Sequence, residues 1–167
     1  NGDRLAAPVT DSFRLTVPTI LAGDGLANTL TGGAGTLVLF GEAGADTLDG
    51  GAGADVLHGG AGADVLTGGS GADVFAWATA DIDGSLDQIT DFTVGDGDAL
   101  DLSQVLIGFD AVTSDINDFL RLSGSGPATL EVDVNGAVGG SNFQDVATFA
   151  DAGQSLEDLR TNGNLIV

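Results

Sequence analysis

Cysteine, lysine, methionine and tyrosine are absent from this 167-residue chain, and proline occurs only three times. Without cysteine there is no disulfide framework and no thiolate zinc site, so a domain outside the cell would need another form of reinforcement. The only basic side chains besides His58 are Arg4, Arg14, Arg121 and Arg160, set against 25 acidic residues for a net charge of −21. Nucleic acid and anionic membrane surfaces are thereby excluded as direct partners, because both demand clustered basic side chains. A charged partner should be a cation. No apolar run approaches the roughly 18 residues that span a bilayer, and no basic stretch followed by an apolar one opens the chain. Any secretion is therefore expected not to be directed from this N-terminus, and the Asn1 start leads us to expect a piece of something longer.

Catalytic constellations are missing too. His58 is the single histidine, at a position expected to face solvent. Neither a Gly-x-Ser-x-Gly elbow nor His-Glu-x-x-His occurs, and the Gly-rich stretches lack the lysine of a phosphate-binding loop. The chain is not expected to be an enzyme.

What is present is glycine and aspartate, with 28 Gly and 22 Asp against 3 Glu. Hydrophobic residues make up 43%, enough to separate the chain from a disordered acidic tail. Residues 23–76 divide without insertion into six nonapeptides, beginning at Gly23, Gly32, Gly41, Gly50, Gly59 and Gly68. The unit reads Gly-Gly-x-Gly-x-Asp-x-Leu-x, cleanest in Gly50 to His58, Gly59 to Thr67 and Gly68 to Ala76. Glycine at places one, two and four permits positive φ and lets carbonyls crowd one centre. Place six adds a carboxylate, and hard cations such as Ca2+ take oxygen ligands of both kinds.

Places seven to nine read as a short strand whose eighth side chain points inward, giving the series Leu30, Leu39, Leu48, Leu57, Leu66 and Phe75. If successive units form alternate sides of a flattened coil, one turn takes two units and strands on one side stack about 4.8 Å apart. An ion between stacked turns would be bridged by sixth-place residues of successive coils. Asp46 with Asp64 and Asp55 with Asp73 are complete pairs, Asn28 with Asp46 is weaker, and Leu37 with Asp55 lacks a carboxylate. Two strong sites are expected, with several weaker ones possible. The supporting carbonyls would come from Gly41, Ala43, Gly44, Gly50, Gly51, Ala52, Gly53, Gly59, Gly60, Ala61, Gly62, Gly68, Gly69, Ser70 and Gly71. A core of six inward side chains is small for a coil so rich in glycine and like charge, so folding is expected to be coupled to metal.

This pattern resembles the RTX (repeats-in-toxin) nonapeptide of Ca2+-binding β-rolls. The resemblance implies an all-β fold, a right-handed parallel β-roll (β-solenoid) closed by a C-terminal β-rich cap carrying short helices. The first three units depart from it: Leu26 replaces Gly, Leu37 replaces Asp, and Asp24 and Glu42 replace the second Gly. The first coil is accordingly expected to bind metal poorly.

Residues 77–102 form an acidic segment that resembles the closing segment of RTX rolls, with Asp81, Asp83, Asp87, Asp91, Asp96, Asp98 and Asp101 interleaved by Ile89, Phe92, Leu100 and Leu102. An EF-hand starting at Asp81 fails here, because glycine falls at its fourth place instead of its sixth and Phe92 stands where the final glutamate is needed. Asp81, Asp83 and Asp87 are weaker ligand candidates for one further Ca2+ site. In residues 103–167, a short helix is expected over Thr113 to Leu120 and a strand over Ala128 to Val134, turning at Asn135-Gly136. Asn142 to Phe149 should return as its partner, and Ser155 to Arg160 reads as a capped helix stopped by Asn162-Gly163. With its apolar end Leu165, Ile166 and Val167, this part resembles the C-terminal target domain of type I secretion substrates. That resemblance implies export through an ABC transporter, membrane fusion protein and outer-membrane channel of a Gram-negative bacterium, to the medium or the cell surface. Residues 1–22, with the alternating Asp11 to Val17, look like a lead-in strand from a preceding module. A large adhesin is the expected parent, a monomer as a domain. A surface-, glycan- or ice-binding module, or the tail of a secreted lipase or protease, is the alternative.

Overall fold

The computed structural model describes residues 18–106, 108–110, 114–124, 127–133, 142–150 and 153–167. In chain order its strands are β1 (Thr19–Ala22), β2 (Thr29–Ala34), β3 (Leu37–Phe40), β4 (Thr47–Ala52), β5 (Val56–His58), β6 (Val65–Ser70) and β7 (Val74–Ala78). There follow β8 (Asp87–Ile89), β9 (Ala99–Gln104), β10 (Leu120–Ser123), β11 (Ala128–Asp133), β12 (Phe143–Phe149), helix α1 (Leu156–Asn162) and β13 (Leu165–Ile166). Odd strands build a first sheet in the order β1-β3-β5-β7-β9-β13. The second sheet runs β2-β4-β6-β8-β12-β11-β10. Within the repeats every pairing is parallel and displaced by one coil, as in Leu30 beside Leu48 beside Leu66 and Leu39 beside Leu57 beside Phe75. This is an all-β parallel β-roll.

Two short strands separated by glycine turns produce this shape because the apolar residue recurs every ninth place and both sheets turn it inward. Leu39, Leu48, Leu57, Leu66 and Phe75 are fully buried between the sheets, while Leu30 at the open end is only partly buried. The acidic segment adds a further coil: β8 continues the second sheet beside β6, and β9 continues the first beside β7. Both sheets run on past residues 76 and 102, since β12 and β13 join β8 and β9 in parallel. Only then does the second sheet turn antiparallel, through β11 and β10.

The segment expected to be a helix up to Leu120 forms a 3-10 turn at Ile116–Asp118, with Asp115 capping Asn117 N–H, and then β10. Its capping residues are satisfied within one turn, and Leu120 and Leu122 are drawn into a strand by pairing with Val132 and Leu130. Helix α1 has the expected cap, a reciprocal Ser155–Asp158 pair, and ends at Gly163 in the left-handed region. No helix among the described residues is long and apolar enough to cross a membrane. The lead-in strand over Asp11 to Val17, the Asn135-Gly136 turn and Thr113 lie outside the described residues.

Trimming the ladder should cost what a buried leucine costs. Leu57→Ala is expected to destabilise the folded roll by about 2–5 kcal/mol, whereas Leu26→Ala, at an exposed position, should stay within roughly 0.5 kcal/mol. Urea unfolding of both variants measures this, and equal losses would contradict the inward register.

Candidate functional site

The sixth-place aspartates sit where each strand leaves its turn, and all four are buried. In each, Oδ1 accepts a backbone N–H from the preceding coil. Asp46 takes that of Asn28 at 2.6 Å, while Asp55, Asp64 and Asp73 take those of Leu37, Asp46 and Asp55 at 2.8 Å. The other oxygen, Oδ2, is buried without a hydrogen-bond partner in all four. A buried acceptor left unpaired costs about 1–3 kcal/mol, and more when it carries charge. Four such oxygens in one short stretch need a positive counterpart.

They converge on the room beside the first-place glycines. A Cβ at Gly41 would lie 2.6 Å from Asp46 Oδ2, and one at Gly68 would lie 2.6 Å from Asp73 Oδ2. At Gly50 it would meet both Asp55 Oδ2 and the Gly68 carbonyl oxygen at 2.7 Å, so a carboxylate and a main-chain carbonyl face one spot. These glycines are not needed for positive φ, contrary to the sequence expectation: Gly51 and Gly53 in places two and four take φ of 95° and 146°, but the first-place glycines do not leave the ordinary region. Their missing side chain is the space itself. Glu42, in a second place, is the single non-glycine residue at positive φ among those described, at 78°.

The degenerate first coil lacks this arrangement. Beside Gly32 the Gly50 carbonyl is met by a Leu37 methyl instead of a carboxylate. Beside Gly23 stands Asn28 Oδ1, which already accepts from Asp24 N–H at 2.7 Å.

At the other end both ladders continue into the acidic segment and close there. Asp87 Oδ1 accepts from Asp64 N–H at 2.9 Å and its Oδ2 from Trp77 Nε1 at 2.8 Å. Asp98 Oδ1 accepts from Asp73 N–H at 3.0 Å and its Oδ2 from Thr93 N–H at 2.8 Å. Both oxygens are thus paired within the protein. The role of Asp98 was hidden by insertions that stretch the repeat. The signal was nonetheless present, because Asp87-Gln88-Ile89 and Asp98-Ala99-Leu100 preserve the Asp-x-apolar frame of places six to eight.

Asp91 accepts from the N–H groups of Gly68 and Gly69 at 3.0 and 2.8 Å. Asp81 Oδ2 accepts from Ala78 N–H at 2.6 Å and lies 3.2 Å from His58 Nε2. His58 is therefore partnered instead of freely solvated, because the segment after β7 passes over it. Asp83 accepts from the Ser85 N–H at 2.8 Å and also from its hydroxyl. Leu165 and Ile166 lie in β13 and Val167 packs against the core. Among the described residues no three His, Asp or Glu side chains gather into one metal-holding cluster.

Burial dominates the electrostatics. It pushes Asp64 up to about 6 against its bond from the Asp46 N–H, with Asp46, Asp81 and Asp83 adding repulsion. Burial likewise pushes Asp87 up to about 7 despite its bond from Trp77, and raises Asp73 and Asp98.

Against known proteins, the family model for the RTX calcium-binding nonapeptide repeat (4 copies) matches residues 22–57 and 40–75. Among solved structures the chain is similar to the AlgE6R3 subunit of the Azotobacter vinelandii mannuronan C5-epimerase. The identity is 30%, covering 83% of this chain and 88% of that one, with a TM-score of 0.54. It is also similar to the AlgE6R2 subunit of that enzyme, at 28% identity, covering 89% and 91%, with a TM-score of 0.56. No match is found among curated protein sequences.

Carboxylates whose folded pKa lies above the ordinary value near 4 bind protons more tightly when folded. Without metal, the chain should therefore be most stable near pH 4–5 and lose stability as the pH rises through the values of Asp64 and Asp87, about 6 and 7. In chelator the strand signal and any urea midpoint should decline from about pH 5 upwards, until the transition is lost near pH 7.5. A rise over that range would contradict the burial of these groups.

Proposed function

The chain belongs to the RTX calcium-binding repeat family, and from that premise we propose that it is a non-catalytic region whose folding Ca2+ drives at the four half-paired aspartates. The supporting observation is the set of orphaned Oδ2 atoms of Asp46, Asp55, Asp64 and Asp73, each beside a glycine whose missing Cβ leaves room. Bound Ca2+ would supply the positive charge these oxygens lack. Since no three acidic side chains gather among the described residues, the donor set is paired carboxylates completed by turn carbonyls. Gly41, Ala43, Gly44, Gly50, Gly51, Ala52, Gly53, Gly59, Gly60, Ala61, Gly62, Gly68, Gly69, Ser70 and Gly71 provide these. Asp46 with Asp64 and Asp55 with Asp73 form the two strong sites. Asn28, Asp81, Asp83 and Asp87 contribute less, having their oxygens largely occupied by N–H and O–H donors.

The chemistry acts as a concentration switch. Ionised and unpaired, the ladder repels itself, and the chain stays unfolded where Ca2+ is scarce, as inside a bacterial cell. Where Ca2+ is plentiful, neutralising the carboxylates stabilises the native state in proportion to occupancy. Such a chain suits export in an unfolded form by a type I machine, with Leu165, Ile166 and Val167 part of the address and folding on the outside preventing return. The likeness to subunits of a mannuronan C5-epimerase favours attachment to a secreted enzyme over attachment to an adhesin.

Circular dichroism during Ca2+ titration tests the switch: chelated chain should lack the roll's strand signal and gain it cooperatively. A chain fully folded in chelator at pH 7.5 would refute the coupling. Asp55→Ala and Asp64→Ala should each raise the Ca2+ midpoint several-fold, while Asp145→Ala, at an exposed position of β12, leaves it unchanged. For export, residues 77–167 fused to a passenger should reach the medium of cells carrying a type I exporter; retention of the fusion would defeat that part of the reading.

A further inference from the structure

The outer sides of the two sheets differ in a way that the calcium ladder does not require. On the second sheet, outward residues are mostly polar where the inward ones are apolar: Thr29, Thr47, Val65 and Gln88 stand in one row, with Val65 the single apolar member, and Thr31, Asp49 and Thr67 in the next. This alternation is what a sheet with one face in water needs. The first sheet breaks it. Beside the buried Leu39, Leu57 and Phe75, its outward row is Ile20, Val38, Val56 and Val74, in register across β1, β3, β5 and β7. The next row adds Phe40 and Ala76 on either side of His58.

Strands that read as near-continuous apolar runs, such as Leu37-Val38-Leu39-Phe40, are those of parallel sheets covered on both faces. Yet Ile20 is 63% exposed, and Val38, Val56 and Val74 are half-buried without packing on the core. The described helix, α1, packs instead against β10 and β13.

We propose that this outer face of the first sheet is a docking surface for an amphipathic helix with an apolar seam and basic flanks. Size and charge select that occupant. Four strands spaced about 4.8 Å apart make a strip roughly 14 Å long, which matches the seam of about three helical turns. Two such strips bury far less than the ~1,200 Å² of a stable protein pair, and two chains of charge −21 repel, so a second copy fits poorly. Asp101 stands in register with Ala76, Glu42 follows β3 and Asp83 follows β7, each at least partly exposed, and no arginine lies in residues 18–106. An apolar strip with an acidic margin recognises leucine-like side chains flanked by lysine or arginine. The surface needs only a folded roll, whichever way the roll is assembled.

The test uses the full chain in saturating Ca2+, its fold verified by circular dichroism, and a synthetic leucine–lysine amphipathic helix as probe. Calorimetry at physiological salt should show micromolar binding, with NMR shift changes on the outward residues of β3, β5 and β7. Val38→Thr, Val56→Thr and Val74→Thr together keep shape and charge; with an unchanged fold they should weaken binding about tenfold, a change of 1.4 kcal/mol. Equal binding by this variant would mean attraction by charge alone, and shifts confined to the turns or the second sheet would place the probe elsewhere. Either result overturns the proposal. So would sedimentation showing a wild-type dimer that the triple variant loses, since the occupant would then be a second copy. None of these failures bears on the Ca2+ dependence of folding, which is measured beforehand.

Discussion

Everything in this roll depends on carboxylates that are only half satisfied by the protein. One oxygen of each sixth-place aspartate ties its coil to the one before, through a hydrogen bond to a backbone N–H. That bond forces the aspartate inward, and burial then leaves the second oxygen without water. The connection that builds the stack is also what creates the deficit. Burial of this kind disfavours the charged form, and it pushes Asp64 up to about 6 and raises Asp73.

The ends of the ladder show how the deficit is confined. Asp87 and Asp98 make the same bond to the preceding coil, but Trp77 and the Thr93 N–H occupy their second oxygens. At the opposite end Asn28 folds its amide onto Asp24 and contributes no charge. Between these terminators lie the four orphaned oxygens of the repeats. Capping in this solenoid is thus a matter of hydrogen-bond accounting as well as of covering apolar surface.

The roll was legible in the sequence because a nine-residue period with a fixed leucine leaves little choice of register. Helix α1 was legible for a local reason, its reciprocal cap and terminal glycine. What escaped was set by distance along the chain. Asp98 completes a ladder from 25 residues away, so counting by nines passes over it. Strand β10 comes after a capped turn that looks like the start of a helix, and only its pairing with β11 decides otherwise. At the first-place glycines the expected crowding of carbonyls holds without positive φ, because the space they leave is defined by side chains five residues later and by carbonyls of the neighbouring coil. Local rules describe a residue's own backbone. They do not describe what must fit beside it.

Strand β13 has a consequence for the order of assembly. Leu165 and Ile166 lie beside Leu100 and Asp101, the Leu100 N–H bonds to the Asn164 carbonyl, and the Asn164 amide bonds to the Asp98 carbonyl. The coil that terminates one ladder is therefore clasped by a segment some 66 residues away, almost at the last residue. Repeats can stack on their neighbours by short loops, but this clasp is a long-range closure, the kind of contact that slows folding. A chain released in pieces, or cut just short of its end, would hold its coils without their lock.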